Sequence, residues 1–371
     1  MNIIAIGPQR FISSEGFTGD STQMLKTTEH LKNIPDVNLT CAFYNSDYVL
    51  TTECGGRIEW DQLHKDFDVA HVFTLFHHRE PSEVTKALAS LPTLLSTVYW
   101  NNYFRELVCV RNGDSPRRLL RSIEYIARKI TGCKIQDIRP WCSGILPNSW
   151  SEGEAFRQVY ALHEHATSYQ VPNAVEVPPY ARKLPRPSCV PASDYIVYPG
   201  VFARRKNQLG FIKAMRDSNY PVVFMGQPQR EYEDYYQECR KQANKQMHFI
   251  GHRSYTDEEY WAVLRHAKIA VLASDCETPG IAMIEAAAMG ARPVITHYGG
   301  TKEYFGLSAE YLSPFSLKSI RAAVQTGWIK GRISDEEAAS FERFSWEWTA
   351  ELTLQAYKHA ISNWNKHTCT R

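Results

Sequence analysis

The chain has 371 residues, 43% hydrophobic and 22% charged, a globular composition long enough for two domains of common size. A net charge of +2 creates no global demand for nucleic acid or a membrane, and no apolar run reaches the ~18 residues of a spanning helix. The nine cysteines are odd in number, widely spread and without a C-x-x-C, which argues for reduced thiols over a disulfide framework or a zinc site.

The opening "MNIIAIGPQRF" lacks the basic lead and cleavage site of a signal peptide and reads as a first strand. "STQMLKTTEHLKN" follows as a helix with Ser21 as N-cap. "VNLTCAFY" and "VAHVFTLF" are strands, "SEVTKALASL" is a helix, and "TLLSTVYW" is again a strand. A helix is expected from about Ser115 to Ile130, then a strand at "CSGILPNS", a helix at "SEGEAFRQVYAL" and a short strand in "TSYQVPNAVEV". "PPYARKLPRPSCVPAS" is proline-rich and aperiodic, so residues 179–191 are expected to be a linker.

The pattern then restarts. "DYIVYPG", "PVVFMG", "MHFIG", "KIAVLAS" and "RPVIT" read as strands. Between them lie helical stretches at "QLGFIKAMRD", "YEDYYQECRKQAN", "TDEEYWAVLRHA" (with Thr256 as N-cap) and "GIAMIEAAAMG". Such alternation implies parallel sheets covered on both faces. The fold class is therefore α/β, with residues 1–178 and 192–348 as successive halves. The last helix, about 350–371, is long enough to return to the first half. The histidine pairs His77/His78 and His163/His165 match no metal spacing with a third ligand nearby.

Chemistry concentrates in "DCETPGIAMIEAAAMGARPVI". Glu277, Thr278 and Pro279 fall beyond the end of a buried strand, where ligands bind in open α/β sheets. Gly280 permits close approach to the backbone, and the helix starting near Gly280 and Ile281 offers free amides, including that of Ala282, to a phosphate. Glu285 lies about 7 Å along the same helix, suited to a sugar hydroxyl on the far side of that phosphate. A buried carboxylate without a partner is costly, so Glu285 calls for a ligand or a dedicated ion pair. Arg204, Arg205 and Lys206, in the loop after the first strand of the second half, supply the cations that a diphosphate needs. The combination fits a nucleotide-sugar.

In that order the elements resemble the large retaining GT-B glycosyltransferase family that carries a Glu-x7-Glu motif. Its "E-x-x-G-x-x-x-x-E-A-x-A-x-G-x-P-V-I" pattern is met by Glu277, Gly280, Glu285, Ala286, Ala288 and Gly290, with Pro293 and Val294 one position later than the pattern has them. "YPGVFARRKNQ" is similar to the family's "vGR-x4-KNQ" at Gly200, Lys206, Asn207 and Gln208, and Gly226 and Gly251 match its strand-end glycines. The chain departs from the family at Val201, where an arginine is usual. It departs at Tyr99 or Trp100, where a histidine is usual, and in "EGFTGDSTQ", which keeps only Gly16 and Gly19 of the first glycine loop.

The resemblance implies two Rossmann-like domains facing each other across a cleft, with the C-terminal helix returning to the first. It implies transfer of a sugar from a nucleoside diphosphate, UDP or GDP above all, to an acceptor hydroxyl with retained configuration. No metal and no cofactor are expected. Lys206, a neighbouring arginine and the amides of Gly280, Ile281 and Ala282 would neutralise the departing diphosphate, assisted by Gly19 and Gly200. Glu277 would hold the transferred sugar and Glu285 the ribose. The base is expected at the turn of His252 and Arg253, beside Gly226 and Gly251, and Tyr99 and Trp100 on the acceptor or sugar side. The acceptor stays open between glycan, glycolipid, nucleic acid and protein. A basic amphipathic helix from Arg117 to Ile130 would allow a peripheral contact with anionic lipid at the inner membrane face, in an otherwise cytoplasmic protein. A sugar-nucleotide epimerase on the same fold, or a catalytically weak nucleotide-sugar-binding relative, is the alternative.

Overall fold

A computed structural model describes residues 1–12, 19–74, 81–99 and 136–368. These fall into two units: one takes the described residues up to Tyr99, those from 136 to Asn173 and those from Phe344 on, and the other runs from Ala174 to Arg343. The expected helix at Arg117–Ile130 lies outside the described residues, as do Gly16, His77, His78 and Trp100.

The first unit has strands β1 (Asn2–Pro8), β2 (Asn38–Tyr44), β3 (Leu50–Thr52), β4 (Arg57–Ile58), β5 (Val69–Phe73) and β6 (Thr93–Ser96). Four short ones follow: β7 (Gln136–Asp137), β8 (Gly144–Leu146), β9 (Tyr160–Ala161) and β10 (Thr167–Ser168). The main sheet runs β10-β8-β6-β5-β1-β2-β3-β4, and β7 pairs with β9 separately. Strands β1, β5 and β6 are buried apolar runs because both of their faces are covered. Strands β3 and β4, at one end of this sheet, pair antiparallel and are too short to show a period, so the sequence does not reveal them. The first helix is Gly19–Lys32, which puts Ser21 inside it and buried, not at its cap.

The C-terminal helix, Trp346–Thr368, belongs to this first unit. Its Ala350, Ala356, Tyr357 and Ala360 share a core with Ile3, Leu31, Val69 and Leu94. The Tyr357 hydroxyl meets His71 Nδ1 at 2.6 Å, and His71 Nε2 meets Ser96 Oγ at 2.9 Å. Burial drives the His71 pKa down to about 3, so the imidazole is neutral and bridges β5, β6 and the helix by hydrogen bonds.

The second unit has six parallel strands: β11 (Ile196–Pro199), β12 (Val222–Met225), β13 (Met247–Gly251), β14 (Ile269–Leu272), β15 (Arg292–Thr296) and β16 (Glu310–Leu312). Their order is β13-β12-β11-β14-β15-β16. The chain winds one way from β11 and the other way from β14, so the loops leaving these two neighbours flank a topological switch point, where ligands bind in such sheets.

The proline-rich stretch expected as a linker is fastened to this second unit. The Leu184 carbonyl meets His266 Nε2 at 3.0 Å, and the Arg186 guanidinium lies 5.5 Å from the Tyr195 ring centroid. The N-cap of helix Glu258–His266 is Asp257, not Thr256, whose hydroxyl turns back to Ser254. Among the described residues no helix is long and apolar enough to cross a membrane.

Candidate functional site

The site is built where the loops after β11 and β14 meet. The β11 loop turns through a 3-10 helix, Arg204–Lys206, and then Asn207 takes the left-handed conformation with φ of 55°. Asparagine tolerates this region better than most residues. Its Nδ2 donates to the Ala273 and Pro314 carbonyls, both at 3.0 Å. The Asp275 amide donates to the Arg205 carbonyl at 2.9 Å. The buried Tyr198 hydroxyl accepts from the Ala273 amide at 3.0 Å and donates to the Lys206 carbonyl. Three of these contacts, Asn207–Ala273, Arg205–Asp275 and Tyr198–Ala273, bind one loop to the other, and they set Lys206 beside Glu277.

Lys206 Nζ donates to Glu277 Oε1 at 2.6 Å, and the Glu277 side chain is 1% exposed. Burial pushes the Glu277 carboxyl up, but the charges of Lys206 and Arg205 outweigh it and hold the group below the ordinary glutamate value. Glu277 is therefore ionised at neutral pH. Burial draws the Lys206 ammonium below the usual lysine value while Glu277 opposes that shift.

The Glu277 backbone is also pinned. Its amide donates to the Tyr298 carbonyl at 3.2 Å, and its carbonyl accepts from the Gly300 amide at 3.0 Å. Gly299 between them has φ of 93°, and a Cβ there would sit 2.1 Å from the Glu277 carbonyl oxygen, so only glycine fits. The Thr278–Pro279 peptide is cis, and Gly280 follows at φ of 86°. The helix Ile281–Ala288 begins there. The amides of Ile281 and Ala282 have no carbonyl partner among the described residues, and both residues are partly exposed. An anion at this helix mouth would meet those amides and the positive end of the dipole.

Glu285, farther along the helix, is 8% exposed and accepts a hydrogen bond from the Tyr260 hydroxyl. Burial pushes its pKa up to about 7, with Tyr260 opposing the shift. The partner that the sequence left unnamed is thus a neutral tyrosine, not a cation.

The remaining expected residues separate. Arg205 lies near enough to Glu277 to hold its pKa down, whereas Arg204 is exposed and places its guanidinium 5.5 Å from the Tyr235 ring centroid. The strand-end glycines pack together: the Gly226 amide donates to Gly251, and a Cβ on Gly226 would fall 2.0 Å from the Gly200 carbonyl oxygen. Gly200 itself has open space over its Cα. His252 is exposed, and Arg253 folds back onto the Ile250 and His252 carbonyls and the Glu259 carboxylate.

Two expected residues fall in the first unit. Gly19 opens the helix Gly19–Lys32, and a Cβ there would meet nothing within 4 Å. Tyr99 packs edge-on against Phe156 and Tyr160, and its amide donates to the buried Glu152 carboxylate at 2.9 Å. Among the described residues no group of three or more His, Cys, Asp or Glu converges as a metal site would require.

Sequence reasoning missed Tyr198, Tyr260 and Gly299. Tyr198 sits in a strand and Tyr260 in a helix where an aromatic reads as core, and Gly299 is one of two adjacent glycines. None carries a local signal of its role.

Residues 190–316 match the family model described as glycosyl transferases group 1, which spans the two site loops and the Glu277–Glu285 helix. No curated protein gives a significant match. Solved structures do. Sucrose-phosphate synthase from Thermosynechococcus elongatus is 16% identical with a TM-score of 0.64, over 98% of this chain and 100% of that one. HepE from Anabaena, solved with UDP and glucose, is 14% identical with a TM-score of 0.61, over 97% and 100%. A glycosyltransferase from Rickettsia africae is 13% identical with a TM-score of 0.64, over 98% and 99%. At these identities the likeness establishes the fold, which is that of the GT-B glycosyltransferases.

Proposed function

We propose that the protein transfers a sugar from a nucleoside diphosphate to an acceptor hydroxyl, with retention of configuration. The observation that carries this reading is the Lys206–Glu277 pair, 2.6 Å apart at the switch point of the second sheet and next to the open end of the helix Ile281–Ala288. A buried ion pair adds little stability over apolar packing, so its placement at a ligand-binding edge favours a functional role.

In this reading the diphosphate rests against the Ile281 and Ala282 amides, Lys206 and Arg205. These charges are in place before the leaving group forms, so they stabilise the transition state without reorganising. They also supply the positive charge that the reaction needs, which is why no divalent ion is expected. Glu277 stays ionised and accepts hydroxyls of the transferred sugar. Its rigid backbone and its bond to Lys206 tie the sugar to the leaving group's position. Glu285 accepts ribose hydroxyls. Gly200, Gly226 and Gly251 leave a floor without side chains on which a base can lie, next to the turn at His252. Arg204, stacked on Tyr235, is left outside this set. The acceptor's proton passes to a donor phosphate oxygen, so no separate general base is assigned.

HepE is solved with UDP and glucose and with UDP-glucose, which makes UDP-glucose the first donor to try. The test is incubation with UDP-, GDP-, ADP- and TDP-sugars while free nucleotide and sugar-nucleotide isomers are measured. Nucleotide release that Lys206→Ala abolishes supports the transferase. Interconversion without release identifies an epimerase. Tight binding with neither leaves a binding protein.

A further inference from the structure

Glu285 has a peculiar environment for a carboxylate. Its helical neighbours Ile284 and Ala286 are fully buried. One of its oxygens, Oε2, accepts from Tyr260 on the helix Glu258–His266. The other, Oε1, has no partner among the described residues and is not sealed from solvent. A carboxylate in water or at a built anion site accepts several hydrogen bonds, and this one has a single donor. Among the described residues no other titratable group makes up the difference. Strand β14 carries none. Arg292 of β15 bonds the Gly331 and Ser308 carbonyls. Glu337, on the helix Asp335–Ser340, bonds Ser334 and Ser308, while Asp335 and Glu336 are exposed. In the 3-10 helix Phe341–Arg343, Glu342 pairs with Arg182 and Arg343 is exposed. On Tyr260's own helix Glu258 is exposed, Glu259 pairs with Arg253 and His266 bonds the Leu184 carbonyl, so among the described residues Tyr260 is the one side chain that hydrogen-bonds Glu285.

We propose that Tyr260 and Glu285 form a proton-coupled receptor for the nucleotide's ribose: Tyr260 fixes one oxygen, and the vicinal diol supplies the missing donors and expels the carboxyl proton. The inference rests on the nucleotide-sugar reading above and adds Tyr260 as a positioning residue. In the free protein Glu285 titrates near 7, so below that pH much of it is the neutral acid. An acid can offer only its carbonyl oxygen well, while a diol needs an acceptor for two donors. Binding thus favours the carboxylate, and the proton leaves to solvent. By linkage, a group that must lose a proton to bind weakens binding as pH falls. For a pKa near 7 that falls by a few units on binding, ribose-dependent affinity drops about tenfold from pH 8 to pH 6. Removing the Tyr260 hydroxyl removes the one donor among the described residues and moves the midpoint to higher pH.

The experiment is titration calorimetry of the full chain with UDP, GDP and ADP, each beside its 2′,3′-dideoxy form. It is run at pH 6 and pH 8 in two buffers of different ionisation heat. Phosphate protons are common to both forms of a nucleotide, so their difference isolates the ribose. The expected result is extra proton release at pH 6 for the ribonucleotide, absent at pH 8 and absent in Glu285→Gln. Tyr260→Phe should shift the pH profile upward; a merely structural role would weaken binding equally at every pH. Equal release from ribo and dideoxy forms overturns the inference, as does release that survives in Glu285→Gln or a profile unmoved in Tyr260→Phe. Nucleotide binding without ribose-dependent release overturns this inference alone. No nucleotide binding at all overturns the donor reading with it.

Discussion

Lys206 and Glu277 are 71 positions apart in sequence and form a 2.6 Å ion pair in which the carboxylate is 1% exposed. The loops that carry them leave neighbouring parallel strands at the switch point, and Tyr198 and Asn207 lock one loop to the other. The pair is therefore a consequence of strand order, and it makes a definite claim on stability. Lys206→Ala leaves a buried charge without its partner, a loss of about 3–5 kcal/mol. Glu277→Gln together with Lys206→Met should regain much of the melting temperature and none of the turnover. The held-down carboxyl of Glu277 contributes stability above the ordinary glutamate pKa and loses it as pH falls through the folded value. In acid melts, the gap between wild type and Glu277→Gln should narrow below pH 4.5.

Tyr198→Phe tests the clamp between the loops. The hydroxyl serves the Ala273 amide and the Lys206 carbonyl, and its loss strands a buried amide at a cost of about 1–3 kcal/mol. Because the clamp positions Lys206, kcat should fall more than KM rises. Urea unfolding and steady-state kinetics on the same variant check both parts.

Glu285 gives the opposite sign to Glu277. Its folded pKa of about 7 lies above the ordinary value of 4.5, so folding favours the neutral acid. That preference is fully present below pH 4.5 and is lost as pH rises through 7, roughly 3 kcal/mol across the interval. Glu285→Gln should therefore melt higher than wild type at pH 8 and match it at pH 4.5, while binding nucleotide more weakly. Equal melting temperatures at both pH values would count against the burial argument.

Chelation tests the claim that the protein's own cations neutralise the leaving diphosphate. With Lys206, Arg205 and two helix amides that have no carbonyl partner among the described residues at the site, turnover of the true donor should be unchanged in excess EDTA. A rate restored only by added divalent ion would show that these groups are insufficient.

Much of the architecture is legible in residue order because buried strands and amphipathic helices differ in period. The runs "NIIAIG", "VAHVF" and "IAVL" lie in strands, and the helix through "EAAA" ends at Ala288, just before Gly290. Elements of two or three residues, such as β3 and β4, have no period to read. The proline-rich stretch reads as a linker because composition cannot show the Leu184 carbonyl bonding to His266 of the second unit.

The residue chemistry of the site is local: a carboxylate by a helix start, a lysine after a strand, glycines at strand ends. Local patterns of this kind mark candidate residues because the backbone imposes them within a few residues. Who pairs with whom depends on which strands lie side by side. Only folding puts Lys206 on Glu277, turns Arg204 toward Tyr235 and leaves Arg205 near the carboxylate. Only folding gives Glu285 a tyrosine in place of a cation, because the helix bearing Tyr260 packs against it from a separate part of the chain. Composition and spacing thus determined the layered α/β elements and which residue types stand at their ends. Burial and long-range hydrogen bonds, which set each group's charge, were decided by the packed structure.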